Sequence, residues 1–122
     1  MSTTPAEKVR RLKQKTWRRR YSRHRAGFPV KATVLRDSGY VEIPGRCSDI
    51  GHGGLGTVFT SEVPAGEVIA IEFTLPPASE PLQVRTIVRY QKGFVHGMEF
   101  LGLTVEQQAA VDAFCEKREA LD

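Results

Sequence analysis

Leu82-Gln83-Val84-Arg85-Thr86-Ile87-Val88-Arg89-Tyr90 is the stretch that sets the fold class. Leu82, Val84, Thr86, Val88 and Tyr90 alternate with Gln83, Arg85, Ile87 and Arg89. A period of two places the first set on one side of an extended chain, as in a strand with one face on a core. Just upstream, Pro76-Pro77-Ala78-Ser79-Glu80-Pro81 cannot join a ladder, because proline has no N–H to donate. Before that loop, Ile69, Ile71, Phe73 and Leu75 alternate in the same way. Downstream, Gln91-Lys92-Gly93 turns the chain into a further strand, Phe94 to Leu101.

The pattern extends toward the N-terminus. Phe28, Val30, Ala32 and Val34 alternate with Pro29, Lys31, Thr33 and Leu35, and Asp37-Ser38-Gly39 is a turn signal. A longer strand from Tyr40 to about Ile50 is interrupted by Pro44-Gly45, where a bulge or an edge is expected. It runs into Gly51-His52-Gly53-Gly54, a stretch rich in permissive glycine, and then into a short strand, Leu55 to Phe59. Pro64-Ala65-Gly66 turns again. Six short strands at close spacing with Gly/Pro punctuation predict an all-β fold, a small antiparallel barrel or sandwich.

Two helices are expected to flank it. Thr4-Pro5-Ala6-Glu7 has the form of a capping box, opening a helix from Pro5 to about Arg18. Its apolar stripe is thin: Val9, Leu12 and Trp17, with Trp17 expected to pack on the domain. Thr104-Val105-Glu106-Gln107 is a second capping-box pattern. Ala110, Val111, Phe114, Cys115 and Leu121 follow at helical spacing, which predicts an amphipathic helix packed on the barrel or on a partner.

At 122 residues one domain is the default, and a modest core is feasible without disulfides or metals. No apolar run approaches the roughly 20 residues that span a bilayer, and no secretory h-region opens the chain. A cytoplasmic location is therefore expected. The two cysteines, Cys47 and Cys115, lack metal-ligand spacing and read as reduced core thiols. His24, His52 and His96 are scattered and read as surface or structural residues. No nucleophile–base pair, P-loop or metal motif is present, so the sequence predicts no enzyme, no metal and no cofactor.

The net charge of +4 conceals an asymmetry. Residues 1–25 hold ten Lys/Arg and one acid, whereas the rest hold eight basic and thirteen acidic residues. The densest part is Arg18-Arg19-Arg20-Tyr21-Ser22-Arg23-His24-Arg25, five arginines in eight residues. Guanidinium forks match phosphate oxygens and the O6/N7 edge of guanine. About 25 residues on, Asp49-Ile50-Gly51-His52-Gly53-Gly54 offers an acceptor carboxylate on a glycine-rich turn.

The two stretches together resemble the signature of the PilZ family, whose domains bind the bacterial second messenger cyclic di-GMP. The family's RxxxR reads Arg19 to Arg23 here. Its [D/N]xSxxG reads Asp49 to Gly54, with Gly51 in place of the serine, and Gly97-Met98-Glu99-Phe100 looks like its closing strand. The resemblance covers roughly Arg18 to Leu121. It implies a six-stranded antiparallel β-barrel over 19–122, behind a basic leader over 1–18. It also implies a ligand-binding set of Arg19, Arg20, Arg23, Asp49, Gly51 and Gly54.

Arginines would take the phosphates and Hoogsteen edges, and Asp49 the guanine N–H donors. Asp49 also has plainer alternatives, capping a turn or pairing with Arg46. Losing the serine hydroxyl removes one contact of about 0.5–1.5 kcal/mol. The implied function is a non-enzymatic cyclic di-GMP receptor that repositions its leader and signals to a protein effector, with motility or biofilm control as output. Two alternatives remain: a degenerate PilZ-like interaction adaptor, and a nucleic-acid-binding module that uses the basic leader.

Overall fold

The structure is a computed structural model that describes residues 23–118. The predicted N-terminal helix, Trp17, Arg19, Arg20 and Leu121 lie outside the described residues.

The described chain runs β1 (His24–Arg25), β2 (Pro29–Arg36), β3 (Gly39–Gly51), β4 (Gly54–Phe59), β5 (Val68–Phe73), β6 (Leu82–Lys92), β7 (Val95–Leu101) and α1 (Val105–Glu116). All strand pairs are antiparallel, in the order β1-β3-β2-β5-β6-β7-β4. A further pairing of β3 with β4 closes strands β2 to β7 into a six-stranded barrel. Closure leaves no long edge in the barrel wall. The expected all-β barrel is present, with one extra strand. β1 pairs with the far end of β3 as His24↔Ile50 and Arg25↔Asp49. Two residues are too few to show a period, so pattern alone does not reveal β1.

The alternating residues point inward as their period requires. Val30, Ala32, Val34, Ile69, Ile71, Phe73, Val84 and Val88 are all at most 4% exposed. Thr86 lies among them with its hydroxyl donating to the Ile69 carbonyl at 3.2 Å, which satisfies the polar atom. The turn expected at Asp37-Ser38-Gly39 closes the β2–β3 hairpin with Gly39 at φ 112°, and Gly93 turns β6 into β7 at φ 59°. A side chain at either position would be strained.

β3 bends because it serves two neighbours. Its first part pairs with β2, and its β4 pairing begins only at Gly45↔Phe59. Pro44 therefore sits where β3 has no β4 partner, which is the expected edge, since its nitrogen has no proton to give. The bulge is elsewhere: the β3–β4 register shifts between Cys47 and Asp49, leaving Ser48 as the extra residue.

α1 closes one end of the barrel. Its capping box is formed, with the Thr104 hydroxyl accepting from the Gln107 N–H and the Gln107 side chain accepting from the Thr104 N–H, both at 3.0 Å. Val111, Phe114 and Cys115 are buried on its inner face. Phe114 meets Phe28 edge-on at 5.7 Å, and Phe28 stacks on Phe73 at 5.5 Å, so helix and barrel share one apolar cluster. Both cysteines are buried and free, as expected. Of the two readings, surface or structural, His96 takes the structural one: it is fully buried, its Nε2 accepting from the Val63 N–H at 2.9 Å and its Nδ1 lying 2.8 Å from the Phe94 carbonyl.

Candidate functional site

The β1–β3 pairing sets the geometry of the site. Alternation along β1 buries His24 and leaves Arg25 exposed. The Ala26 N–H donates to the Ser48 carbonyl at 3.1 Å and the Cys47 N–H to the Phe28 carbonyl at 2.9 Å, holding the passage from β1 to β2 against β3. Arg23, at the start of this segment, lies beside the bulge.

The bulge aims Asp49 toward Arg23. Arg23 Nε donates to Asp49 Oδ1 at 2.8 Å, and Nη2 donates to the same oxygen. Thus Asp49 pairs with Arg23 and not with Arg46, whose Nη2 instead donates to the Gly27 carbonyl. The Ser48 hydroxyl lies 3.2 Å from both Asp49 Oδ2 and the Gly56 carbonyl, and its single proton can serve either. The loop thus holds a hydroxyl beside the carboxylate, at Ser48, although Gly51 carries none.

The floor beneath the pair is Gly56. A Cβ there would stand 2.8 Å from Asp49 Oδ2 and 3.0 Å from Arg23 Nη2. Glycine makes room for the two side chains to meet, and sequence reasoning passed over this residue. Its signal was position alone, two residues past the motif.

Gly51 and Gly54 face each other as a register pair at the β3–β4 turn. The positive-φ glycines among the described residues are 39, 66, 93 and 102, not those of the 51–54 turn. Gly54 is required for a different reason: a Cβ on it would collide with the Met98 carbonyl of β7. Of the six site residues named from sequence, the fold brings Arg23 and Asp49 into contact and seats Gly51 and Gly54 at the adjoining turn. Arg19 and Arg20 lie outside the described residues.

The Arg23–Asp49 pair is half open, with side-chain exposures of 32% and 19%. Its members remain within reach of an anion arriving from solvent. Beneath them the Cys47 thiol donates to the Asp49 carbonyl at 3.2 Å, and burial followed by the Asp49 charge pushes that thiol far above its ordinary value. Cys47 is thus structural rather than nucleophilic.

A family model of the PilZ domain matches residues 18–117. The chain belongs to the PilZ family. Solved structures share the barrel of this PilZ domain. The Bacillus subtilis inhibitor of motility (MotI/DgrA) matches at a TM-score of 0.66 and 20% identity, over 82% of this chain and 50% of that one. This chain therefore spans half the length of that protein. The PilZ domain of YcgR from Escherichia coli, solved with c-di-GMP, matches at 0.63 and 15% identity, over 83% and 91%. The PilZ domain of CeSA from a cellulose-synthesizing bacterium matches at 0.60 and 15% identity, over 78% and 95%. No curated sequence matches the chain. Among the described residues, no helix of the PilZ domain is long and apolar enough to cross a membrane.

Proposed function

We propose that the chain is a non-enzymatic cyclic di-GMP receptor, with a basic leader over 1–18 ahead of a PilZ domain over 19–122. The observation that carries this reading is the contact between Arg23 and Asp49, one residue from each motif, at a half-open position on the barrel. Cyclic di-GMP has two phosphates and two guanines. Its phosphate or Hoogsteen acceptors compete with Asp49 for the Arg23 guanidinium, while the guanine N1–H and N2–H₂ donors suit the Asp49 carboxylate. Binding exchanges the internal ion pair for two pairs with the ligand. Arg19 and Arg20 add further forks from the leader, and Gly51 and Gly54 keep the adjoining turn low beside a flat base.

Engaging Arg19 together with Arg23 draws the leader toward the barrel and selects one of its positions. The output is then a changed surface for a protein effector. The similarity to a structure named as an inhibitor of motility supports a motility-type effector.

Calorimetric titration of the full chain with cyclic di-GMP, beside GTP and cyclic GMP, tests the reading. Saturable heat with cyclic di-GMP alone is expected. A flat titration on folded protein overturns the receptor and leaves the interaction adaptor.

A further inference from the structure

Beside this site, and independent of it, three elements converge on a second constellation. Among the described residues, His24 of β1, His52 of the β3–β4 turn and Cys115 of α1 each place a ligand atom within 4.8 Å of the other two. Cys115 is fully buried and His24 is 8% exposed.

The surroundings of the two rings match those of metal-bound imidazoles. His52 Nδ1 lies 2.5 Å from Asp112 Oδ1. Asp112 is itself held by Gln108 Nε2 at 2.8 Å, and the same amide nitrogen donates to the His52 carbonyl at 2.9 Å. His24 Nδ1 lies 3.2 Å from the Arg118 carbonyl. An acceptor beside Nδ1 calls for the ring proton there, which is the tautomer in which an imidazole ligates a metal through Nε2. The rings stand edge to face, with centroids 6.3 Å apart.

We propose that His24, His52 and Cys115 form a site for a thiophilic divalent transition metal, Zn²⁺ in the first instance, with Asp112 as the positioning residue for His52. Two imidazoles and a thiol suit zinc, whereas magnesium and calcium take oxygen donors. Donors around a tetrahedral zinc lie about 3.3–3.8 Å apart, so small side-chain rotations close the observed triangle. Water takes the fourth position. The Cys115 proton leaves to solvent as the thiolate coordinates the metal. The ion would bind β1, the β3–β4 turn and α1 together, elements whose ligands lie 28 and 63 residues apart in the chain. It would also fix His24, the chain neighbour of Arg23.

The test uses the full chain, stripped with chelator and titrated with Zn²⁺ against a chromophoric competitor, then with Co²⁺ as spectroscopic probe. One equivalent is expected, with thiolate-to-cobalt charge-transfer absorption that survives Cys47→Ala and vanishes in Cys115→Ala. His52→Ala should weaken Zn²⁺ at least tenfold, and Asp112→Asn about tenfold. Because Cys115 is buried and its replacement threatens the fold, His52→Ala on a partly exposed ring carries the same test: Zn²⁺ should raise the Tm of the parent and not of this variant. No charge-transfer absorption in the parent, or unchanged Zn²⁺ affinity in His52→Ala, overturns the site. Neither readout depends on nucleotide binding.

Discussion

Arg23 Nε lies 2.8 Å from Asp49 Oδ1, joining residues 26 apart in the chain at the bulge of β3. The pair is too exposed to contribute much to stability, since such pairs are worth about 0–1 kcal/mol. In the proposed receptor its use is in recognition, where each charge-assisted hydrogen bond contributes about 1.5–3 kcal/mol. Arg23→Ala and Asp49→Ala are each expected to weaken cyclic di-GMP at least about tenfold while Tm moves by only a few degrees. Calorimetry and thermal melts on the same samples separate the two effects. Unchanged affinity in the Arg19→Ala, Arg23→Ala double variant would remove the site assignment.

Two neighbouring glycines are expected to fail in opposite ways. A methyl at Gly56 meets the ends of two flexible side chains, Asp49 and Arg23, which can swing aside. Gly56→Ala should leave the fold near its parental Tm and reduce nucleotide affinity. A methyl at Gly54 meets the Met98 carbonyl, which is fixed in the β4–β7 ladder. Gly54→Ala should cost about 1–3 kcal/mol, read as a Tm at least about 4 °C lower. If both variants lose only stability, Gly56 is not a floor for the pair.

Much of this was legible in the sequence because the physics is local. Period two in Leu82–Tyr90 and its neighbours sets which side chains face the core, and the Thr104–Gln107 cap needs only four residues. Arg23 and Asp49 were each legible as part of a motif, but their pairing was not, since the sequence offered Arg46 as the alternative partner of Asp49. Other features depend on where distant segments come to rest. β1 exists because β3 offers it a free edge at Asp49 and Ile50. The glycine requirement at 54 comes from β7, and at 56 from two side chains that meet above it. His24 and Cys115 are 91 residues apart, and no spacing rule anticipates their meeting.

His96 should make stability depend on pH. Its Nε2 accepts from the Val63 N–H and its Nδ1 donates to the Phe94 carbonyl, so a second proton would face a donor. Burial, the larger influence, lowers its pKa from 6.5 despite the Phe94 carbonyl, which acts the other way. The unfolded chain then binds a proton that the folded chain refuses, so this contribution is complete above about 6.5 and declines as pH falls below it toward the lowered value. Tm should drop between pH 7.5 and pH 5.5, and NMR should show His96 in folded protein titrating below 6.5, from the Nδ1–H tautomer. A His96 ring that titrates at or above 6.5 in folded protein would contradict the assignment.

The leader offers a test of the proposed repositioning that needs no partner. Residue 23 is anchored beside β1, and residue 19 is four positions away, so Arg19 can lie no more than roughly 14 Å from it along the chain. A ligand gripped by both arginines must therefore fix a segment that ends two residues after Trp17, the sole tryptophan. Cyclic di-GMP is expected to change Trp17 fluorescence and to slow tryptic cleavage after Arg18, Arg19 and Arg20. Removing residues 1–15 should leave affinity within about threefold, because those charges act only through a screened field with a Debye length of about 8 Å. Loss of binding on truncation would place the leader in the pocket itself. Ligand binding with neither a fluorescence nor a cleavage response would refute repositioning while leaving the Arg23–Asp49 site in place.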